Sequence, residues 1–151
     1  MEITTDIIKK LREMTGVSVM QCRKALEEAK GDLRKAEGIL KKHSAASAEK
    51  KTGRTLSAGL VGSYVHEGGI GALVSLSCET DFVAKNPEFA ILARDIAMQT
   101  AAMDPEDADD LLGQPFIKDE SKTVQQLLYE ATQKFGERIE IGRFARLSVR
   151  P

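Results

Sequence analysis

Tryptophan is missing from the 151 residues, and aromatic side chains of all kinds make up 5%. That leaves few platforms on which the bases of a single-stranded nucleic acid could stack. A surplus of positive charge is missing too. The 22 basic and 23 acidic residues leave a formal net charge of -1, whereas nucleic-acid affinity needs excess Lys and Arg to neutralise phosphates. No direct nucleic-acid partner is expected. Cysteine occurs only as Cys22 and Cys78. Both fall on apolar faces of expected elements, and they read as buried thiols in a reducing compartment rather than as a secreted disulfide framework. No apolar run approaches membrane-spanning length, and Met1-Glu2-Ile3 does not open a signal peptide. The expectation is a cytoplasmic protein with no membrane partner.

Catalytic sets are lacking as well. His43 and His66 fall in different expected units, and neither has a Ser or Cys at a recognisable motif spacing. The two cysteines and two histidines form no C-x-x-C or H-x-x-x-H pair, so no metal site is expected. Asp109-Asp110 lies in a polar stretch and reads as solvated. Gly68-Gly69-Ile70-Gly71 lacks both the Gly-Lys-Ser/Thr ending and the following helix of a phosphate cradle, and reads as a hairpin turn. A chain with no bond chemistry of its own and no cofactor is expected.

What is present is organised around Glu79-Thr80-Asp81-Phe82-Val83-Ala84-Lys85-Asn86-Pro87. A period-2 strand, Ala72 to Glu79, leads into it. Thr80 can cap a short turn of helix with Asp81 near its positive end, and Asn86-Pro87 is a second helix start. Phe82 therefore sits on a stub between two start signals. Either it tucks under the sheet as core, or it is a projecting apolar tip that docks into another protein.

Upstream, residues 1–43 read as three short helices forming a small bundle. Ile7, Leu11 and Met14 make the first stripe. Thr15-Gly16 breaks that helix, and Ser18 with Gln21 opens the second. Cys22, Ala25, Leu26 and Ala29 form the second stripe. Gly31 and Asp32 separate it from the third, which carries Leu33, Ala36 and Leu40 and ends at His43. Val19 and Met20, at the Thr15-Gly16 turn, either close the core or form a binding lip. Residues 44–57 are small, polar and basic and read as a linker, in part helical.

The second unit, 58–151, begins with a strand from Leu60 to Glu67 that pairs with Ala72 to Glu79. A helix from Pro87 to about Ala102 follows, with Phe89, Leu92 and Ile96 on one face. Then come an acidic, irregular stretch from Asp104 to Lys122, a helix capped by Thr123 and stopped by Gly136, and a last strand from Glu137 to Val149. This is an α+β arrangement, a three-stranded antiparallel sheet with helices on one face. The odd positions of the last strand, Ile139, Ile141, Leu147 and Val149, are expected to cover the helices. Phe144, joined by Leu60 and Tyr64 if the register allows, is expected on the second face. An apolar strip there would favour back-to-back pairing, so a homodimer is expected.

Three separated stretches resemble the bacterial elongation factor Ts family. They are Leu11-Arg12-Glu13-Met14-Thr15-Gly16 through Leu26 with Gly31-Asp32; Cys78-Glu79-Thr80-Asp81-Phe82-Val83-Ala84-Lys85-Asn86 with Phe89; and Leu112-Gly113-Gln114-Pro115-Phe116 with Gly136-Glu137 and Arg143-Phe144. The resemblance implies that the first bundle is of the ubiquitin-associated type and contacts elongation factor Tu through Arg12, Thr15, Gly16, Val19 and Met20. It also implies that Thr80, Asp81, Phe82 and Val83 form the element that displaces the Mg2+ of GDP bound to that partner. Ser18-Val19-Met20 stands where the family has a Gly-Met-Met run, so Met20 keeps the family's residue and Val19 does not. The chain also lacks the longer central insertion of larger members. A different class of function would be a helical adaptor that binds ubiquitin-like or nascent chains through the bundle, with the sheet unit as scaffold.

Overall fold

The structure, a computed structural model, describes residues 2–150. It opens with three helices, α1 (Thr5–Thr15), α2 (Val19–Glu28) and α3 (Leu33–Lys50). Their ends are set by local chemistry. Gly16, at φ 70°, closes α1 by donating its N–H to Arg12 O, while Ser18 and Asp32 cap α2 and α3 by accepting from Gln21 N and Lys35 N. Leu11, Cys22, Ala25, Leu26, Ala36 and Leu40 close a small core. Met14, expected in that core, is 47% exposed, and Val17 fills the space beside the turn instead. Helix α3 runs on to Lys50, through the first half of the stretch read as a linker. Ala45, Ala46 and Ala48 favour helix there, and tertiary packing extends it: buried Ser44 donates to Leu40 O and to Gln133 Oε1 of the second unit.

The second unit is built on β1 (Ala58–His66), β2 (Ile70–Cys78) and, after the intervening helices, β5 (Glu140–Ser148). The strands pair antiparallel in the order β1-β2-β5. Glu67 and Gly68, both at positive φ, make the β1–β2 turn, the geometry a tight hairpin needs. Helix α5 (Pro87–Met103) lies across this sheet. Strand β1 approaches it so closely at Gly62 that an added Cβ would strike the Ala93 carbonyl. Helix α7 (Val124–Phe135), capped by Thr123 and ended by Gly136 at φ 70°, completes the core with Val124, Leu128 and Ala131.

Between α5 and α7, the stretch expected to be irregular holds helix α6 (Ala108–Gly113) and a small two-stranded sheet of β3 (Pro115–Phe116) and β4 (Asp119–Thr123). Its organiser lies outside it. Buried Gln99 on α5 donates to Gln114 Oε1 and Pro115 O and accepts from Ile117 N at 2.8 Å. The segment packs on the helical side of the sheet, with Leu111 in the core.

The expected assignment of faces on the last strand is corrected by a β-bulge. Val74 pairs with Phe144, but Leu76 pairs with Ile141, so Gly142 and Arg143 together oppose Ser75. The Ser75 hydroxyl fills the bulge, accepting from Arg143 N at 2.7 Å. One extra residue reverses the parity of everything after it. Phe144, with Leu60 and Tyr64, therefore packs on the helical side, while Leu147 and Val149 stand 80% and 82% exposed on the outer face. Val61, Val65 and Leu73 are exposed beside them. The apolar second face exists, but its residues differ from those expected.

Candidate functional site

Strand β2 ends at Cys78, and the chain turns at once into the four-residue helix α4 (Asp81–Ala84). A helix this short gains almost nothing from propagation, so its ends and its contacts must hold it. Thr80 caps the start by accepting from Val83 N at 3.4 Å. Asn86 caps the next helix, accepting from Glu88 N at 2.9 Å. Val83 is buried in the main core, with Ala84 packed against it. The tip residues thus divide by role. Val83 anchors the stub, Thr80 fastens it, and Asp81 and Phe82 face solvent. Phe82 is 86% exposed, the most exposed large apolar side chain among the described residues.

The base of the stub is fastened by residues far along the chain. Glu137 Oε1 accepts from Glu79 N and Thr80 N, each at 3.0 Å, and its Oε2 accepts from the Thr80 hydroxyl at 2.6 Å. In return, Glu79 Oε2 accepts from Arg138 N at 2.6 Å and pairs with Arg54 at 3.4 Å. Arg138 donates to Arg54 O at 2.6 Å. The strand end and the turn before β5 therefore exchange carboxylates. Sequence reading misses this role of Glu137: two acids 58 positions apart carry no local signal of a shared joint.

The second set of expected contacts surrounds the α1–α2 turn. Thr15 donates its hydroxyl to Leu11 O at 2.7 Å, and Gly16 takes the left-handed conformation that ends α1. Arg12 is exposed. Val19 and Met20 start α2 pointing outward, 51% and 68% exposed, so they form a lip and leave core closure to Val17 and Cys22. Sequence adjacency alone brings these five residues together. Arg12, Thr15 and Gly16 also border a cleft of ≈ 540 Å³ between the bundle and the second unit, whose far wall includes Ile91, Leu92 and Phe135.

Neither cysteine is placed for chemistry. Both are buried and unpaired with each other. Burial pushes both thiols above their ordinary value, with the Glu137 carboxylate adding to the effect at Cys78, so neither is a ready nucleophile. Among the described residues, no group of three or more His, Cys, Asp or Glu is placed to hold a metal ion, and no helix is long and apolar enough to cross a membrane. The arrangement offers two exposed apolar contact points on fixed mounts.

The family model described as Elongation factor TS matches residues 79–151, from the start of the tip onward. Curated relatives extend the likeness through the bundle. The chain is 41% identical to Elongation factor Ts of Desulforamulus reducens over 194 aligned positions, covering 98% of this chain and 89% of that protein. It is 40% identical to Elongation factor Ts of Thermotoga neapolitana, covering 99% and 98%, and 41% identical to that of Carboxydothermus hydrogenoformans, covering 97% and 89%. These alignments are longer than the chain's 151 residues, so the relatives carry internal sequence that this chain lacks. Identity at this level, running through both the helical bundle and the sheet unit, makes the chain a member of the elongation factor Ts family.

Proposed function

We propose that this translation elongation factor is the nucleotide exchange factor of elongation factor Tu, and that it acts by contact alone. Phe82 enters the partner beside its nucleotide site and displaces the Mg2+ of bound GDP, with Asp81 beside it and Thr80 and Val83 holding it in place. Mg2+ demands near-ideal octahedral geometry, so a small shift of its support weakens GDP. The partner's nucleotide-free form is then stabilised and GTP can enter. The coupling is reciprocal: nucleotide loosens the factor's grip as the factor loosens nucleotide. Arg12, Thr15, Gly16, Val19 and Met20 of the bundle supply a separate contact. The observation that carries this reading is an 86% exposed phenylalanine on a stub fastened at both ends. A large apolar ring gains nothing in water from such a mount, whereas buried aromatic anchors dominate binding energy at interfaces. The test is release of fluorescent GDP from elongation factor Tu. Acceleration that saturates with factor concentration is expected. Binding without faster release would instead favour an adaptor working through the bundle.

The assembly follows from the outer sheet face. Val61, Val65, Leu73, Leu147 and Val149 form an apolar strip, and segment 104–122 lies on the opposite side of the sheet, so it does not cover them. Burying the strip against a second copy by two-fold symmetry gives a homodimer, each subunit free to engage one elongation factor Tu. Light scattering at micromolar concentration is expected to give twice the 16.5 kDa chain mass. Leu147→Glu, at a solvent-facing position, is expected to return the mass to one chain while the circular dichroism of the folded subunit is kept. A wild-type mass near 16.5 kDa that does not change with concentration would rule the dimer out.

A further inference from the structure

We infer that Glu137 is a positioning residue for nucleotide release: its carboxylate sets the pose of the Phe82 stub from the far end of the unit, without touching the partner. This rests on the reading of Phe82 as the displacing tip. Glu137 lies in the turn between Gly136, which ends α7, and β5. Both of its oxygens are used. Oε1 takes the N–H groups of Glu79 and Thr80, and Oε2 takes the Thr80 hydroxyl proton.

The third bond matters most. A threonine hydroxyl has one proton and can rotate. By giving that proton to Glu137 at 2.6 Å, Thr80 turns a lone pair toward Val83 N, which donates to it at 3.4 Å. Glu137 thereby fixes the cap, and the cap fixes the first turn of α4. Charge-assisted bonds of this kind are shorter and stronger than neutral ones. The reciprocal bond from Arg138 N to Glu79 keeps the Glu137 turn from moving away from the strand end.

The mechanical reason for such a joint lies in the exposure of Phe82. A ring pressed into a partner is pushed back, and a four-residue helix cannot resist that load by its own hydrogen bonds. Val83 and Ala84 hold the stub's inner side. The Glu137 carboxylate holds its root and prevents it from pivoting. Pre-organisation of this kind is realised in the rate of the displacement step, because small misplacements of an acting group are costly.

The test uses the full chain carrying Glu137→Ala, with Glu137→Gln as the conservative variant. Gln keeps an uncharged oxygen within reach of the two backbone N–H groups. With Glu137→Ala, the maximal rate of GDP release from elongation factor Tu at saturating factor is expected to fall on the order of tenfold. The concentration giving half the maximal rate should move much less. Hydrogen exchange at the Glu79 and Thr80 amides should lose its protection; Gln should restore that protection but leave maximal release slow, because its NH2 group cannot accept the Thr80 hydroxyl proton. If Glu137→Ala lowers the melting temperature, Thr80→Val carries the test instead. At an exposed residue it removes the Thr80 hydroxyl, and with it both the link to Glu137 and the cap on Val83 N, so it should slow maximal release, and the two changes combined should slow it by less than the product of their separate effects. Wild-type maximal release in Glu137→Ala, or in a stably folded Thr80→Val, would overturn the positioning role. If Phe82→Ala also released GDP at the wild-type rate, the tip reading itself would have failed, and the two failures are thereby told apart.

Discussion

Phe82→Ala is expected to slow release of GDP from elongation factor Tu by about thirtyfold, with no change in melting temperature beyond a degree or two. The rate follows from the size of an aromatic anchor at an interface, about 2 kcal/mol or more on truncation. The unchanged melt follows from the fold. Phe82 is 86% exposed, so removing the ring takes almost no apolar area out of the protein's own core. The caps at Thr80 and Asn86 and the buried anchor Val83 are untouched by the change. Phe82→Leu should keep part of the activity, because a branched apolar side chain still fills some of the space the ring would. Stopped-flow release and a thermal melt on the same preparation decide the matter. A large loss of melting temperature with a matching loss of activity would sink the tip reading.

Phe89→Ala is expected to do the opposite. Phe89 is fully buried and meets the Phe135 ring edge-on, with centroids 5.9 Å apart. It joins α5 to α7 and to the sheet within one core. Removing the ring there loses its burial and leaves a cavity, at a cost of about 3–5 kcal/mol. For a chain of this size the melting temperature should fall by roughly 10 °C. At temperatures where the variant is folded, maximal GDP release should stay close to wild type, because the ring does not reach the partner. A melt within a degree of wild type would show that Phe89 does not join α5 to α7 in the core.

These two phenylalanines lie seven residues apart in neighbouring helices, and local pattern places only Phe89, on the apolar face of α5 with Leu92 and Ile96, while it leaves Phe82 open. Both stand near capping signals and both follow an acidic residue, Asp81 and Glu88. What separates them is what each faces. Phe89 meets α7, and Phe82 meets nothing of this chain.

Several parts of the protein were legible in the sequence alone. The caps at Ser18, Asp32, Thr80, Asn86 and Thr123 all accept the backbone N–H expected of them, and Gly16 and Gly136 end their helices at positive φ. These features are settled within about one turn of chain, where side-chain oxygen and backbone N–H are already neighbours. The hairpin of β1 and β2 and the core face of α5 were legible for the same reason, since period and turn chemistry are local. The strand parity of β5 was not, because the bulge at Gly142-Arg143 is fixed by Ser75 on the neighbouring strand. The fold of 104–122 was not, because Gln99 on another helix supplies its hydrogen bonds. The joint beneath the tip was not, because Glu137 and Thr80 meet only when β5 returns beside β2. Local hydrogen bonds chose the elements of this protein; which side chains were left facing out, Phe82 and Leu147 above all, was decided by which partners the fold brought against the rest.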